Sequence, residues 1–126
     1  MYKFFLLGLM SLYLLGCSST GDGYMQQEAL LASMKQNNAP IIIDVRSDAE
    51  FQSSHVPNAI HVPFWSAFSN DKLDSLGKNK TVVLYCAHGP RAGVAKFALS
   101  LAGFDDIRYL AGHMTAWTEA NLPVER

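Results

Sequence analysis

The sequence predicts an α/β domain in three layers, with a mainly parallel central sheet flanked by helices. Two apolar runs of strand type, Ile41 to Arg46 and Thr81 to Leu84, lack the polar–apolar alternation of a half-exposed strand, so both faces of each are expected to be buried. Segments with helical spacing or capping chemistry lie between the strand candidates, which is the alternation that builds a parallel sheet. The third observation is the passage Tyr85-Cys86-Ala87-His88-Gly89-Pro90-Arg91-Ala92, where a strand stops at a cysteine, turns through glycine and restarts as a helix at Arg91-Ala92. Sites in such sheets lie at the carboxyl ends of the strands, and Cys86 falls at one.

The first sixteen residues stand apart from this pattern. Lys3 supplies a positive start and Phe4 to Leu15 an apolar stretch of twelve residues. As a helix it would span about 18 Å against a hydrocarbon core of about 30 Å, so it reads as a secretory signal rather than a membrane span. Leu14-Leu15-Gly16-Cys17 resembles the lipobox of bacterial lipoproteins, in which the signal is cut before the cysteine and the cysteine is lipidated. The expected division is a signal at 1–16, a lipidated Cys17 with a polar tether through Gly23, and a folded domain at 24–126. Such a protein sits on the periplasmic side of a bacterial membrane, held there by its lipid. Ser18 in place of aspartate resembles the pattern that releases lipoproteins to the outer membrane.

The elements of the domain follow in order. Leu30, Leu31 and Met34 give helical spacing within Tyr24 to Gln36, and Asp22 is a candidate cap. Asn37 to Pro40 breaks that helix before the strand at Ile41. Ser47-Asp48-Ala49-Glu50 matches a capping box and opens a short helix to about Ser53. Prolines 57 and 63 bracket a short strand at Ala59 to Val62, and Phe64 to Phe68 and Asp71 to Leu76 read as short helices leading to the strand at Thr81. Beyond the cysteine loop, Val94, Phe97, Ala98 and Leu101 fall at i, i+3, i+4 and i+7, the stripe expected to face the core, with Gly103 as C-cap. Ile107 to Leu110 is the last strand, Ala111-Gly112 a turn, and Met114 to Ala120 a closing helix that carries Trp117.

At 126 residues and a net charge of −1, the chain holds one globular domain and has no basic excess to suggest nucleic acid. It has two cysteines. If Cys17 carries lipid, Cys86 has no disulfide partner, and an unpaired thiol in an oxidising compartment is a liability unless it is used. One reading of Cys86 is a small apolar residue closing a core strand. The other is a nucleophile, because unpaired N–H groups and the positive end of the dipole at a helix start favour the thiolate. Arg91 adds a permanent cation and a planar donor fork for an oxyanion, which favours the second. His55, His61, His88 and His113 show no metal-ligand spacing, and no nucleotide loop or repeat is present, so neither metal nor cofactor is expected.

Asp44-Val45-Arg46 with Glu50-Phe51, His55-Val56-Pro57-Asn58-Ala59, Tyr85 to Ala92, Gly103-Phe104, Tyr109-Leu110-Ala111-Gly112 and Trp117 resemble, in order and spacing, the rhodanese family of sulfurtransferases. The resemblance runs from about Gln26 to Val124 and looks closest to single-domain periplasmic members. Ser54 and Asn58 stand where the family commonly has glycine, and His113 replaces the second glycine of a Gly-Gly turn near the active loop. Four residues separate Cys86 from Arg91. That is the compact loop of sulfurtransferases; the similar protein tyrosine phosphatases have one residue more, which widens the cradle for a tetrahedral phosphate.

The resemblance implies a mechanism. Cys86 thiolate attacks the outer sulfur of a donor such as thiosulfate, sulfite leaves, and a Cys86 persulfide passes its sulfur to a thiol or to cyanide. It further implies Cys86 and Arg91 as catalytic, with Arg91 binding the donor's oxyanion or fixing the loop, and Ala87, His88, Gly89, Pro90 and Ala92 as the loop that holds the substrate. Pro90 brings no N–H to that cradle. His88 is placed at the mouth as lining or proton carrier. Arg46 is either a second anion site or a salt bridge to Asp44 or Glu50. A monomer is expected, and the other classes kept open are a non-catalytic rhodanese-like binding module and a small cysteine phosphatase or arsenate reductase.

Overall fold

The computed structural model describes residues 23–126. The signal at 1–16, Cys17, nearly all of the tether and the Asp22 cap therefore lie outside the described residues. Five strands, β1 (Tyr24–Met25), β2 (Ile41–Asp44), β3 (Ile60–His61), β4 (Thr81–Tyr85) and β5 (Asp106–Leu110), form one sheet in the order β1-β5-β4-β2-β3. Every pairing in it is parallel. The helices are α1 (Gln27–Lys35), α2 (Asp48–Ser53), α3 (Asp71–Asp74), α4 (Pro90–Leu101) and α5 (His113–Glu119), with a 3-10 turn at Phe64–Ser66.

The unbroken apolar runs have the cause expected of them. Successive side chains of a strand point to opposite faces, and here each face is covered. Ile43, Val82 and Leu84 enter a core shared with Ala95 and Leu99 of α4 and Leu73 of α3. Ile42, Val83 and Tyr85 enter the opposite core with Leu30 of α1 and Met114 and Trp117 of α5. Trp117 is fully buried, and its indole N–H donates to Pro123 O at 2.8 Å.

Two local readings are corrected. The helix expected from Tyr24 opens only at Gln27, because Tyr24 and Met25 pair with Tyr109 and Leu110 as an edge strand. Three of the four residues of the stripe expected to bury α4 are exposed instead: Val94, Phe97 and Leu101 are 42%, 61% and 68% exposed, while the fourth, Ala98, faces the sheet with Ala92, Ala95 and Leu99. Alanines let the helix axis approach the strands closely, and a phenylalanine on that side would hold it off. Phe97 packs its edge on exposed Phe68 instead, with ring centroids 6.3 Å apart. The short elements end earlier than expected, but the capping box at Ser47 is present: Ser47 Oγ accepts from Glu50 N–H at 3.3 Å, and the Glu50 carboxylate accepts from Ser47 N–H at 3.2 Å.

Candidate active site

β4 delivers Cys86 to the carboxyl edge of the sheet, and Ala87 to Gly89 turn the chain into α4. Gly89 is the residue that permits this turn. Its φ of 135° is open to glycine, and a Cβ there would stand 3.4 Å from the His113 imidazole. Pro90 follows as the first helical residue, one position earlier than the sequence suggested, where its missing N–H costs nothing.

The loop closes on the sulfur. Gly89 N–H donates to Cys86 Sγ at 2.9 Å, and the residue as a whole is 1% exposed. Burial is the strongest influence on the thiol and opposes ionisation. Against it act the His113 side chain and the backbone N–H groups of Ala92, Gly89 and His88, which together bring the thiol from an ordinary 9.0 down to about 7. The His113 side chain and the N–H groups of the loop and helix start thus together oppose burial and favour the thiolate. Alkylation of Cys86 by iodoacetamide, followed against pH, is expected to rise through a midpoint near 7 and level off above it, because only the thiolate reacts. A midpoint near 9 would show an unactivated cysteine.

Arg91 faces Glu50 of α2, across 41 positions of sequence. Its Nη1 donates to Glu50 Oε1 at 2.6 Å and its Nη2 to Oε2 at 3.0 Å. Glu50 therefore serves two elements, since the same carboxylate completes the capping box of α2. The Arg91 hydrogen bonds, outweighing partial burial, hold the Glu50 carboxyl at about 2. This fork ties the first turn of α4 to α2. Glu50 was not singled out as a site residue in the sequence, where its capping role masked the second partner.

Arg46 forms the salt bridge to Asp44. Its Nε lies 3.0 and 3.1 Å from the two oxygens of Asp44, and its Nη2 donates to Asp44 Oδ2 at 2.7 Å and to Ser54 O at 2.6 Å. Asp44 is fully buried and Arg46 6% exposed. Tyr85 lies beside this pair, its hydroxyl accepting from Val56 N–H at 3.0 Å, and burial and Asp44 push its ionisation well above the usual range. Arg46 still borders a depression of about 340 Å³ shared with Ala87, Met114 and Thr115.

α5 holds the loop from the other side. Met114 N–H donates to Cys86 O at 3.0 Å, Thr115 N–H to Ala87 O at 3.3 Å, and Thr115 Oγ1 to the same oxygen at 2.9 Å. The two backbone N–H groups are donors that the first turn of a helix leaves without internal partners. The turn before α5 needs Gly112, with φ 73°, because a Cβ there would collide with Ala116. His88 is exposed at the mouth, 3.3 Å from Thr115 Oγ1. His55 and His61 stack on Phe51, with centroids 3.8 and 4.6 Å away, and their ring nitrogens bond Phe51 O and Arg46 O. The backbone of His88, Gly89 and Ala92 and the side chain of His113 thus meet at Cys86, with Ala87 and Arg91 in the same loop and helix start, whereas His55 and His61 belong to the packing of α2.

The family model of the rhodanese-like domain matches residues 26–120. An uncharacterized protein of Synechocystis is 35% identical over 84% of this chain and 58% of its own length. Thiosulfate sulfurtransferase GlpE of Vibrio cholerae is 29% identical over 81% of this chain and 93% of its own length. Among solved structures, the BH2092 protein of Bacillus halodurans superposes with a TM-score of 0.73 at 26% identity, covering 82% of this chain and 76% of that one. The chain spans between 21% and 58% of the length of the first curated relatives it matches.

Proposed function

Because this chain belongs to the rhodanese-like domain family, we propose that it is a sulfurtransferase that carries a sulfane sulfur on Cys86. The observation that carries this reading is the sulfur itself, activated to about 7 and received by Gly89 N–H at 2.9 Å. Cys86 thiolate attacks the terminal sulfur of thiosulfate, the bond between the two donor sulfurs breaks, and its electron pair leaves with sulfite. The persulfide that remains bears a negative terminal sulfur, which the loop N–H groups stabilise as they stabilise the thiolate. An acceptor thiolate or cyanide then takes that sulfur and returns Cys86 as thiolate. A recessed nucleophile suits a donor whose reacting sulfur protrudes on a single bond, and it disfavours a bulky tetrahedral centre such as a phosphate ester. Arg91, tied to Glu50, keeps the loop closed rather than chelating the donor.

Intact mass of the purified protein before and after thiosulfate tests this directly. A gain of one sulfur atom, removed by cyanide or a thiol, is the expected result. An unchanged mass with a reactive Cys86 would instead support a binding module, and turnover of an aryl phosphate or arsenate would support the phosphatase or reductase class.

The same proposal extends to the chain's placement: residues 1–16 are a lipoprotein signal, Cys17 is the lipidated residue, and the domain works on the periplasmic side of a membrane, with Ser18 favouring the outer one. The support is the apolar run Phe4 to Leu15, whose last two residues open the motif Leu14-Leu15-Gly16-Cys17. One acyl chain binds membranes only marginally and several bind stably, so the native protein should need detergent for extraction, and Cys17→Ser should leave an unlipidated form. Native protein found free in the periplasmic fraction, or with its sixteen-residue signal uncut, would overturn this placement.

A further inference from the structure

His113 combines two features that folding alone disfavours. Its φ is 55°, a left-handed conformation that is costly for a residue with a Cβ, and its polar side chain is 6% exposed. Glycine would satisfy the backbone of this turn without strain. The side chain must therefore be doing something that glycine does not.

Its contacts lead to Cys86. The Nδ1 atom accepts a hydrogen bond from Cys86 N–H at 3.2 Å, so in the neutral ring the proton sits on Nε2. The Nε2 edge lies against Gly89, 3.4 Å from where a Cβ would stand on that residue. The imidazole thus holds the Cys86 N–H and stands beside Gly89, the two residues joined by the Gly89 N–H to Cys86 Sγ bond. Among side chains it is also the one that most lowers the thiol. The other titratable groups around the sulfur are Arg91 of α4, already paired with Glu50, Tyr109 of β5, whose ring centroid is 6.0 Å from that of His113, and His88 in the loop. Tyr24 of β1 shares with His88, Tyr109 and His113 a cavity of about 410 Å³ behind the loop.

We propose that His113 is a positioning residue for the nucleophile: it braces the Cys86–Gly89 turn from below and holds the sulfur in its cradle of N–H groups as thiolate. The strained turn is kept for the chemistry of Cys86, and this rests on Cys86 being the sulfur carrier.

The test compares His113→Gly and His113→Asn in the full chain, reading the pH dependence of Cys86 alkylation together with thermal unfolding. Glycine removes the wedge and the strain. Asparagine tolerates the left-handed backbone, and its Oδ1 takes the place of Nδ1 as acceptor from Cys86 N–H. For His113→Gly the expected result is an unchanged or higher melting temperature and an alkylation midpoint raised by about one pH unit, which lowers the rate at pH 7 several-fold, up to about tenfold. His113→Asn should recover at least half of that loss. An unchanged midpoint in His113→Gly would overturn the proposal, as would its failure to fold, which would assign the histidine to the turn. Alkylation requires no sulfur donor. A shifted midpoint in a protein that never gains sulfur from thiosulfate would therefore uphold the role of His113 and sink the sulfurtransferase reading alone.

Discussion

Cys86→Ser is expected to leave a folded protein that gains no sulfur from thiosulfate, with turnover reduced on the order of 10⁴-fold or more, as when a covalent nucleophile is removed. Serine is close to cysteine in size and its Oγ can accept the Gly89 N–H that Sγ accepts now, so the loop keeps its shape. What disappears is ionisation. The same N–H groups that bring a thiol from 9.0 to about 7 act on an alcohol whose ordinary pKa lies far above neutral, and no comparable shift makes it an alkoxide. Intact mass after thiosulfate, with circular dichroism to verify the fold, checks this. Retained sulfur transfer in Cys86→Ser would exclude a persulfide at this position.

Arg46→Met is expected to be the most destabilising change near the site, by about 3–5 kcal/mol in urea unfolding at neutral pH. Asp44 is fully buried, and three of the four Arg46 hydrogen bonds described above go to its carboxylate. Removing the guanidinium leaves a buried charge without a counterion and Ser54 O without its donor. The double variant Asp44→Asn with Arg46→Met should recover part of the loss, because it removes the stranded charge along with its partner. Stability within about 1 kcal/mol of the native protein, accompanied by lost thiosulfate loading, would return Arg46 to an anion-binding role.

The differences between these two arginines show where sequence reasoning ran out. Both follow a strand end or a loop, and both carry the donor fork that suits an oxyanion. Arg46 has its partner two residues away, so a salt bridge was among the readings open in the sequence. The partner of Arg91 lies 41 residues away on another helix and becomes adjacent only when β2 and β4 pair. The misplaced stripe of α4 has a similar origin. Ala92, Ala95 and Leu99 recur at i, i+3 and i+7 as regularly as Val94, Phe97 and Leu101, so spacing could not choose between them. The choice came from the distance at which the sheet accepts a helix, which favours the smaller side chains.

Local chemistry accounts for what the sequence determined unaided. Unbroken apolar runs separated by helix signals imply a parallel sheet, because only a strand covered on both faces dispenses with polar positions. A cysteine followed by glycine and a helix start favours the thiolate, because the backbone N–H groups that lower the thiol belong to the next few residues of the same chain, whereas the His113 side chain that acts with them comes from another helix. The order of the strands, the edge pairing of Tyr24 and Met25, the Glu50–Arg91 fork and the wedge of His113 under Cys86 were decided only in the tertiary structure. Each joins residues distant in sequence, and residue type and spacing do not encode which of many compatible partners will stand within hydrogen-bond reach.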